Sequence, residues 1–113
     1  MQPLTRPMFG CLAIYIEEKI VLVLRKRQPA DADNGIWIAT SHEHHSSLKK
    51  EFPNLRSIKI FGDNGSSWQV LPEKSSDFEE AAMHACELVL RNDPRIGKTP
   101  QKKRRERKFN GSY

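Results

Sequence analysis

The sequence predicts an α+β domain: a two-layer sandwich whose antiparallel sheet carries its helices on one face, in the order β-β-β-α-β-β-α. Three observations carry this reading. Residues 9–16 and 20–24 are apolar β-rich runs separated only by Glu17, Glu18 and Lys19, the spacing of a tight hairpin. Gly62, Asp63, Asn64 and Gly65 form a turn cluster between two further β-rich runs, a second hairpin. Residues 76–91 then carry apolar side chains at helical spacing, and Asn92, Asp93 and Pro94 end that pattern.

Taken in order, residues 1–7 include two prolines and predict an extended lead-in rather than a helix. Residues 9–16 alternate, with Phe9, Cys11, Ala13 and Tyr15 on one side and Leu12, Ile14 and Ile16 on the other. Residues 20–24 are apolar at every position, so both faces of this hairpin are expected to be at least partly covered. Residues 25–35 form a polar loop, and Ile36, Trp37, Ile38, Ala39 and Thr40 a short third strand. Ser41 can cap a helix over residues 42–51 that ends before Pro53, with only Leu48 and Phe52 as apolar anchors. Residues 57–61 make a fourth strand with Ile58 and Ile60 inward, and residues 66–72 a fifth, stopped by Pro72.

The final helix has Ser76 and Glu79 at capping-box spacing. Phe78, Ala82, Ala85 and Val89 form its expected inner stripe, with Ala81 and Leu88 beside them. The expected core is Phe9, Leu12, Ile14, Val21, Val23, Ile38, Ile58, Ile60, Trp68, Val70, Phe78, Ala82, Ala85 and Val89.

A chain of 113 residues suits one domain. Its net charge of +5 is unevenly divided. Residues 95–113 hold eight Lys/Arg against one Glu, a net of +7, whereas residues 1–94 hold eleven against thirteen, a net of −2. The expected division is therefore a mildly acidic domain over 1–94 and a basic, disordered tail over 95–113. Cys11 and Cys86 read as free thiols inside core elements, as in a reducing compartment. With no long apolar run and no signal pattern, the expected location is cytoplasmic.

Met8, Phe9 and Gly10 leading into the first hairpin resemble the opening of the TfoX N-terminal domain family. Leu48, Lys49, Lys50, Glu51, Phe52, Pro53 and Asn54, then Trp68 two residues before Val70, then a terminal helix, are similar to the related MmcQ/YjbR family. The resemblance covers about residues 8–93 and implies a secretion-chaperone-like α+β fold, usually without a catalytic site, in proteins linked to competence regulation or labelled DNA-binding. Those families begin with a helix before Met8-Phe9-Gly10, and this chain has only seven residues there. The missing helix leaves an apolar sheet surface for a partner, a homodimer being expected, unless the chain's own ends wrap over it.

Several residue groups invite chemistry. His42 and His45 stand three apart and could share a helix face, but a metal would need a third ligand such as His84 or Glu43, and His-Glu-x-x-His is absent. A solvated polar turn is the simpler reading, so no metal, cofactor or catalytic residue is expected. Cys86 and His84, two apart on one helix, point in different directions and form no nucleophile–base pair. Trp37 and Trp68 could stack on a ligand ring, though tryptophan in short strands is more often core.

The clearest pointer to a partner is Lys102, Lys103, Arg104, Arg105, Arg107 and Lys108, six cations interrupted only by Glu106. Such a run can neutralise phosphates and release their counterions, giving nonspecific nucleic-acid affinity. The expected function is a small non-enzymatic binding or regulatory domain of this kind. The alternative is a protein-interaction adaptor with no nucleic-acid role.

Overall fold

The computed structural model describes residues 3–8, 11–27, 31–60 and 66–99. Its frame is an open antiparallel sheet of six strands with two α-helices, an α+β architecture. The strands are β1 (Pro3–Met8), β2 (Cys11–Ile16), β3 (Lys19–Arg25), β4 (Gly35–Ile38), β5 (Arg56–Ser57) and β6 (Gln69–Pro72). They lie side by side as β1-β2-β3-β4-β6-β5. A 3₁₀ turn over His42–His44 leads into α1 (His45–Glu51), and α2 (Phe78–Leu90) follows β6.

One strand is added to the expected order. The lead-in pairs with β2 along all six of its residues, from Pro3 opposite Ile16 to Met8 opposite Cys11. Its prolines are tolerated because β1 is an edge strand, where one row of N–H groups has no ladder to join.

The β2–β3 hairpin turns through Glu17, whose φ of 56° lies in the left-handed region. Its register then shifts: Tyr15 faces Ile20 and Ile14 faces Leu22, so Val21 is an extra, bulged residue. That bulge explains the unbroken apolar run in β3. Val21 and Leu22 both join the cluster under the helices, while Val23 returns to the opposite face.

Gly35 opens β4 with φ of 144°, and a Cβ there would stand 2.1 Å from the Leu71 carbonyl oxygen. Only glycine allows β4 and β6 to approach so closely at this end.

Both helices share one face of the sheet. Leu48 from α1, Phe52 just after it, and Ala81, Ala85 and Leu88 from α2 pack with Ile36, Ile38 and Leu71, together with Leu55 and Ile96. The stripe of α2 is thus turned relative to the expected one. Phe78, Ala82 and Val89 are half-buried at its flank, and Cys86 is exposed rather than core.

The start of α2 also differs. Asp77, not Ser76, is the N-cap residue, and no side chain caps the helix. The Asp77 carboxylate instead accepts from Asn54 Nδ2 at 2.9 Å, which ties the helix start to the turn after α1. The C-terminus is as expected. Asn92 takes φ of 61°, its N–H reaches Val89 O at 3.0 Å, and Asp93 N–H reaches Leu88 O at 3.0 Å, a Schellman close.

The fourth strand is shorter than expected, and Ile60 is exposed rather than core. The cause is Asp33, which is almost fully buried. Its carboxylate accepts from the N–H of Lys59 (3.1 and 2.8 Å) and of Ile60 (2.8 Å), drawing the chain off the β6 ladder after Ile58. Phe9 and the Gly62–Gly65 turn lie outside the described residues.

The packed chain also runs past residue 94. Ile96 is buried, Gly97 N–H donates to Ala39 O at 2.7 Å, and Lys98 exchanges two backbone hydrogen bonds with Ile20. Residues 95–98 are therefore part of the body rather than of a tail.

Candidate functional site

The face of the sheet away from the helices is closed by its own side chains. Ala13, Val23, Trp37, Ile58 and Val70 are buried there, with Cys11, Tyr15, Ile20 and Trp68 packed around them. Alternation places these residues on one side of their strands.

Three cations lie over the three larger rings of this face. Arg6 stands 5.8 Å from the Tyr15 ring, Arg25 5.6 Å from Trp37 and Lys98 5.3 Å from Trp68. Contacts of this kind contribute roughly 0.5–2 kcal/mol depending on desolvation.

The cations differ in what else they meet. Arg25 is buried, and its Nη2 pairs with Asp31 at 2.8 Å, a contact that raises the arginine pKa and lowers that of the aspartate. Its Nε is buried without a hydrogen-bond partner among the described residues. Lys98 is half-buried and donates to Ser67 Oγ, and burial lowers its pKa. Among the described residues no carboxylate lies within ion-pair distance of it. His45 Nε2 donates to the Ser67 carbonyl at 3.0 Å, so Ser67 joins α1 to Lys98.

The tryptophans do not offer open stacking platforms. Trp37 is buried and its indole N–H donates to Asp33 O at 2.9 Å. Trp68 lies between the Lys98 ammonium and Trp37, whose ring centroid is 5.8 Å away at a 57° tilt.

The histidine cluster divides in two. The rings of His42 and His45 approach to 4.9 Å. His84 is held elsewhere, donating to Glu51 at 2.7 Å and Glu87 at 3.3 Å with its ring 5.0 Å from Phe52. Glu51 also pairs with Arg95 at 2.6 Å, and Arg95 with Asp93 at 2.9 Å. This chain of charges joins α1, α2 and the segment after α2. It lowers the pKa of Glu51, through Arg95 first and His84 second, and raises that of His84 through Glu51. Among the described residues no group of three or more His, Cys, Asp or Glu side chains converges as a metal cage.

Lys102, Lys103, Arg104, Arg105, Arg107 and Lys108 lie outside the described residues. Lys98 and Asp33 were not singled out from the sequence. Their environments arise from side chains distant along the chain. No helix among the described residues is long and apolar enough to cross a membrane. Compared with protein-family models, curated proteins and solved structures, the chain gives no match.

Proposed function

We propose that the chain is a small non-enzymatic binding domain of TfoX/YjbR type, with a secretion-chaperone-like fold, that holds nucleic acid through its C-terminal cations without sequence preference. The observation that carries this reading is the placement of charge. A net of +5 over residues 99–113, six Lys/Arg against one Glu, follows directly on a segment pinned to the sheet through Ile96, Gly97 and Lys98. Three residues separate Lys98 from Lys102, so their Cα atoms, four steps apart, span at most about 14 Å. A polyanion held by the run is therefore kept close to the folded body, beside a half-buried ammonium that has no carboxylate partner among the described residues.

Backbone phosphates are the groups such a run can pair with, and base edges need fixed donors that it does not offer. The test is fluorescence anisotropy with mixed-sequence DNA and RNA, comparing the full chain with one ending at Thr99. Full-length binding is expected to fall with salt at a log–log slope of up to about −5 on duplex DNA, where each of six phosphates contributes roughly −0.9. The shortened chain is expected to lose most of its affinity. Equal binding by both chains would move the site onto the body and overturn the assignment to the run.

A second reading, a protein-interaction adaptor with no nucleic-acid role, draws on a separate observation. The outer face of α2 exposes Met83 and Leu90.

A further inference from the structure

The register of the sheet lines up four residues on its open face, the one away from the helices. Leu4 pairs with Tyr15, Tyr15 with Ile20, and Ile20 with Lys98. Residues directly opposite each other in an antiparallel ladder point the same way, so these side chains form a row across the strands. Leu4 is 58% exposed, and Tyr15, Ile20 and Lys98 are half-buried. The row spans three strand spacings, about 14 Å. Its middle is apolar and a cation stands at each end. Lys98 closes one end. At the other the exposed Arg6, two residues along β1 from Leu4, lies over the Tyr15 ring.

Charge is divided between the two layers of the molecule. The six strands carry Arg6, Lys19, Arg25 and Arg56 and no Asp or Glu. Acids gather on the helical side, with Glu43, Glu51, Asp77, Glu79, Glu80 and Glu87 on the helices or at their starts. Asp31 and Asp33 pair with Arg25 and Arg56. Among the described residues no carboxylate lies within ion-pair distance of Arg6 or Lys98. Glu17 and Glu18 stand beyond the row, in the β2–β3 turn, and bound it on that side.

Resting on the nucleic-acid reading, we infer that this row holds a single strand, with phosphates on Arg6 and Lys98 and a base between them on Tyr15. Cation, ring and cation repeat the alternation of phosphate and base along an unpaired chain, where one surface can reach both. In a duplex the bases are stacked inside, so phosphates would lie against the apolar middle of the row. At about 3.4 Å per stacked nucleotide, the row takes roughly four nucleotides. An exposed guanidinium is held only weakly over a ring. Arg6 can therefore exchange the Tyr15 face for a phosphate and leave the ring to a base. Lys98 is also the last pinned residue before the cationic run, so a strand on the row continues onto the run.

The experiment is fluorescence anisotropy of the full chain with an oligothymidylate and with a mixed-sequence duplex, each of about 16 nucleotides per strand. The cationic run alone favours the duplex, which has the higher charge density, so a preference for the single strand reports on the row. Single-strand binding is expected to be at least about fivefold tighter than duplex binding. Leu4→Glu and Tyr15→Leu are each expected to remove that preference, the first without touching the core because Leu4 is exposed. Arg6→Gln and Lys98→Gln are each expected to lower the log–log salt slope on the single strand by about 0.7. Lys50→Gln, which removes one charge from the exposed surface of α1, is expected to change neither quantity. Ultraviolet irradiation of the complex is expected to link the strand to the peptide carrying Tyr15. Equal or tighter duplex binding, a preference that survives Leu4→Glu, or a link confined to residues 99–113 would overturn the row and leave the run standing. Full single-strand affinity in a chain ending at Thr99 would overturn the run and support the row. A full chain that binds neither nucleic acid would overturn both.

Discussion

Asp93 accepts from the Arg95 backbone N–H and from Nε and Nη2 of its guanidinium, each at 2.9 Å. These bonds, led by the side-chain pair, bring the Asp93 pKa from 3.8 down to about 2. A depressed carboxylate stabilises the fold above its unfolded pKa, and that contribution is lost as pH falls from 3.8 through about 2. His84 has the opposite sign. Its pKa lies above 6.5, chiefly through Glu51, so its contribution is complete below 6.5 and is lost as pH rises through the raised value. Chemical denaturation at stepped pH is therefore expected to show greatest stability between about pH 4 and 6.5 for this network, with the alkaline decline removed in His84→Gln. An unchanged alkaline decline in that variant would assign it to other groups. None of this could be read from residue types, because His84 and Glu51 are 33 positions apart in the chain.

At the scale of elements, five of the six strands and both helices were legible, whereas the pairing of β1, the rotation of α2 and the length of β5 were not. The rotation of α2 escaped the sequence because its apolar arc is wide. Phe78, Ala82, Ala85 and Val89 satisfy helical spacing as well as Ala81, Ala85 and Leu88 do. What decides is α1, which draws His84 toward Glu51 and Phe52 and turns the two closest-fitting alanines onto the sheet. The length of β5 was hidden for another reason. Residues 57–61 have strand propensity, but Asp33 supplies a stronger acceptor for two of the N–H groups that would continue the ladder. Asp33 also binds Arg56 Nη1 at 3.1 Å. Asp33→Ala leaves these donors without their acceptor and is expected to cost about 3–5 kcal/mol, as breaking buried ionic networks does. A urea titration measures this, and a loss below about 1 kcal/mol would show that water replaces the carboxylate at little cost.

For the molecule as a whole, the body extends through Lys98 rather than ending at Pro94. Composition placed the boundary early because Arg95 begins a basic stretch, while the packing of Ile96 depends on a single apolar residue that periodicity cannot weigh. A chain ending at Pro94 loses a buried isoleucine and four backbone hydrogen bonds, together about 4–6 kcal/mol. Against the roughly 5–15 kcal/mol of a typical domain, it is expected to be largely or partly unfolded at 37 °C. A chain ending at Thr99 is expected to melt with the full-length protein. Circular dichroism melts of the three lengths compare them, and a stable chain ending at Pro94 would show that residues 95–98 contribute little. The candidate site was legible only in its charge. The cations over Tyr15, Trp37 and Trp68 needed the sheet to bring them there.

The two rims of the sheet have a consequence for how the protein behaves when crowded. An unpaired strand can template another chain, which is how fibrils elongate. Here Pro3 and Pro7 lie at alternate positions of β1 with Thr5 between them, so along the row of N–H groups they share only Thr5 can donate. At the other rim β5 is two residues long, and Asp33 has already taken the N–H groups beyond it. A newcomer finds too few donors to lengthen the sheet at either end. Resistance to strand-by-strand polymerisation is thus written into two prolines and one carboxylate.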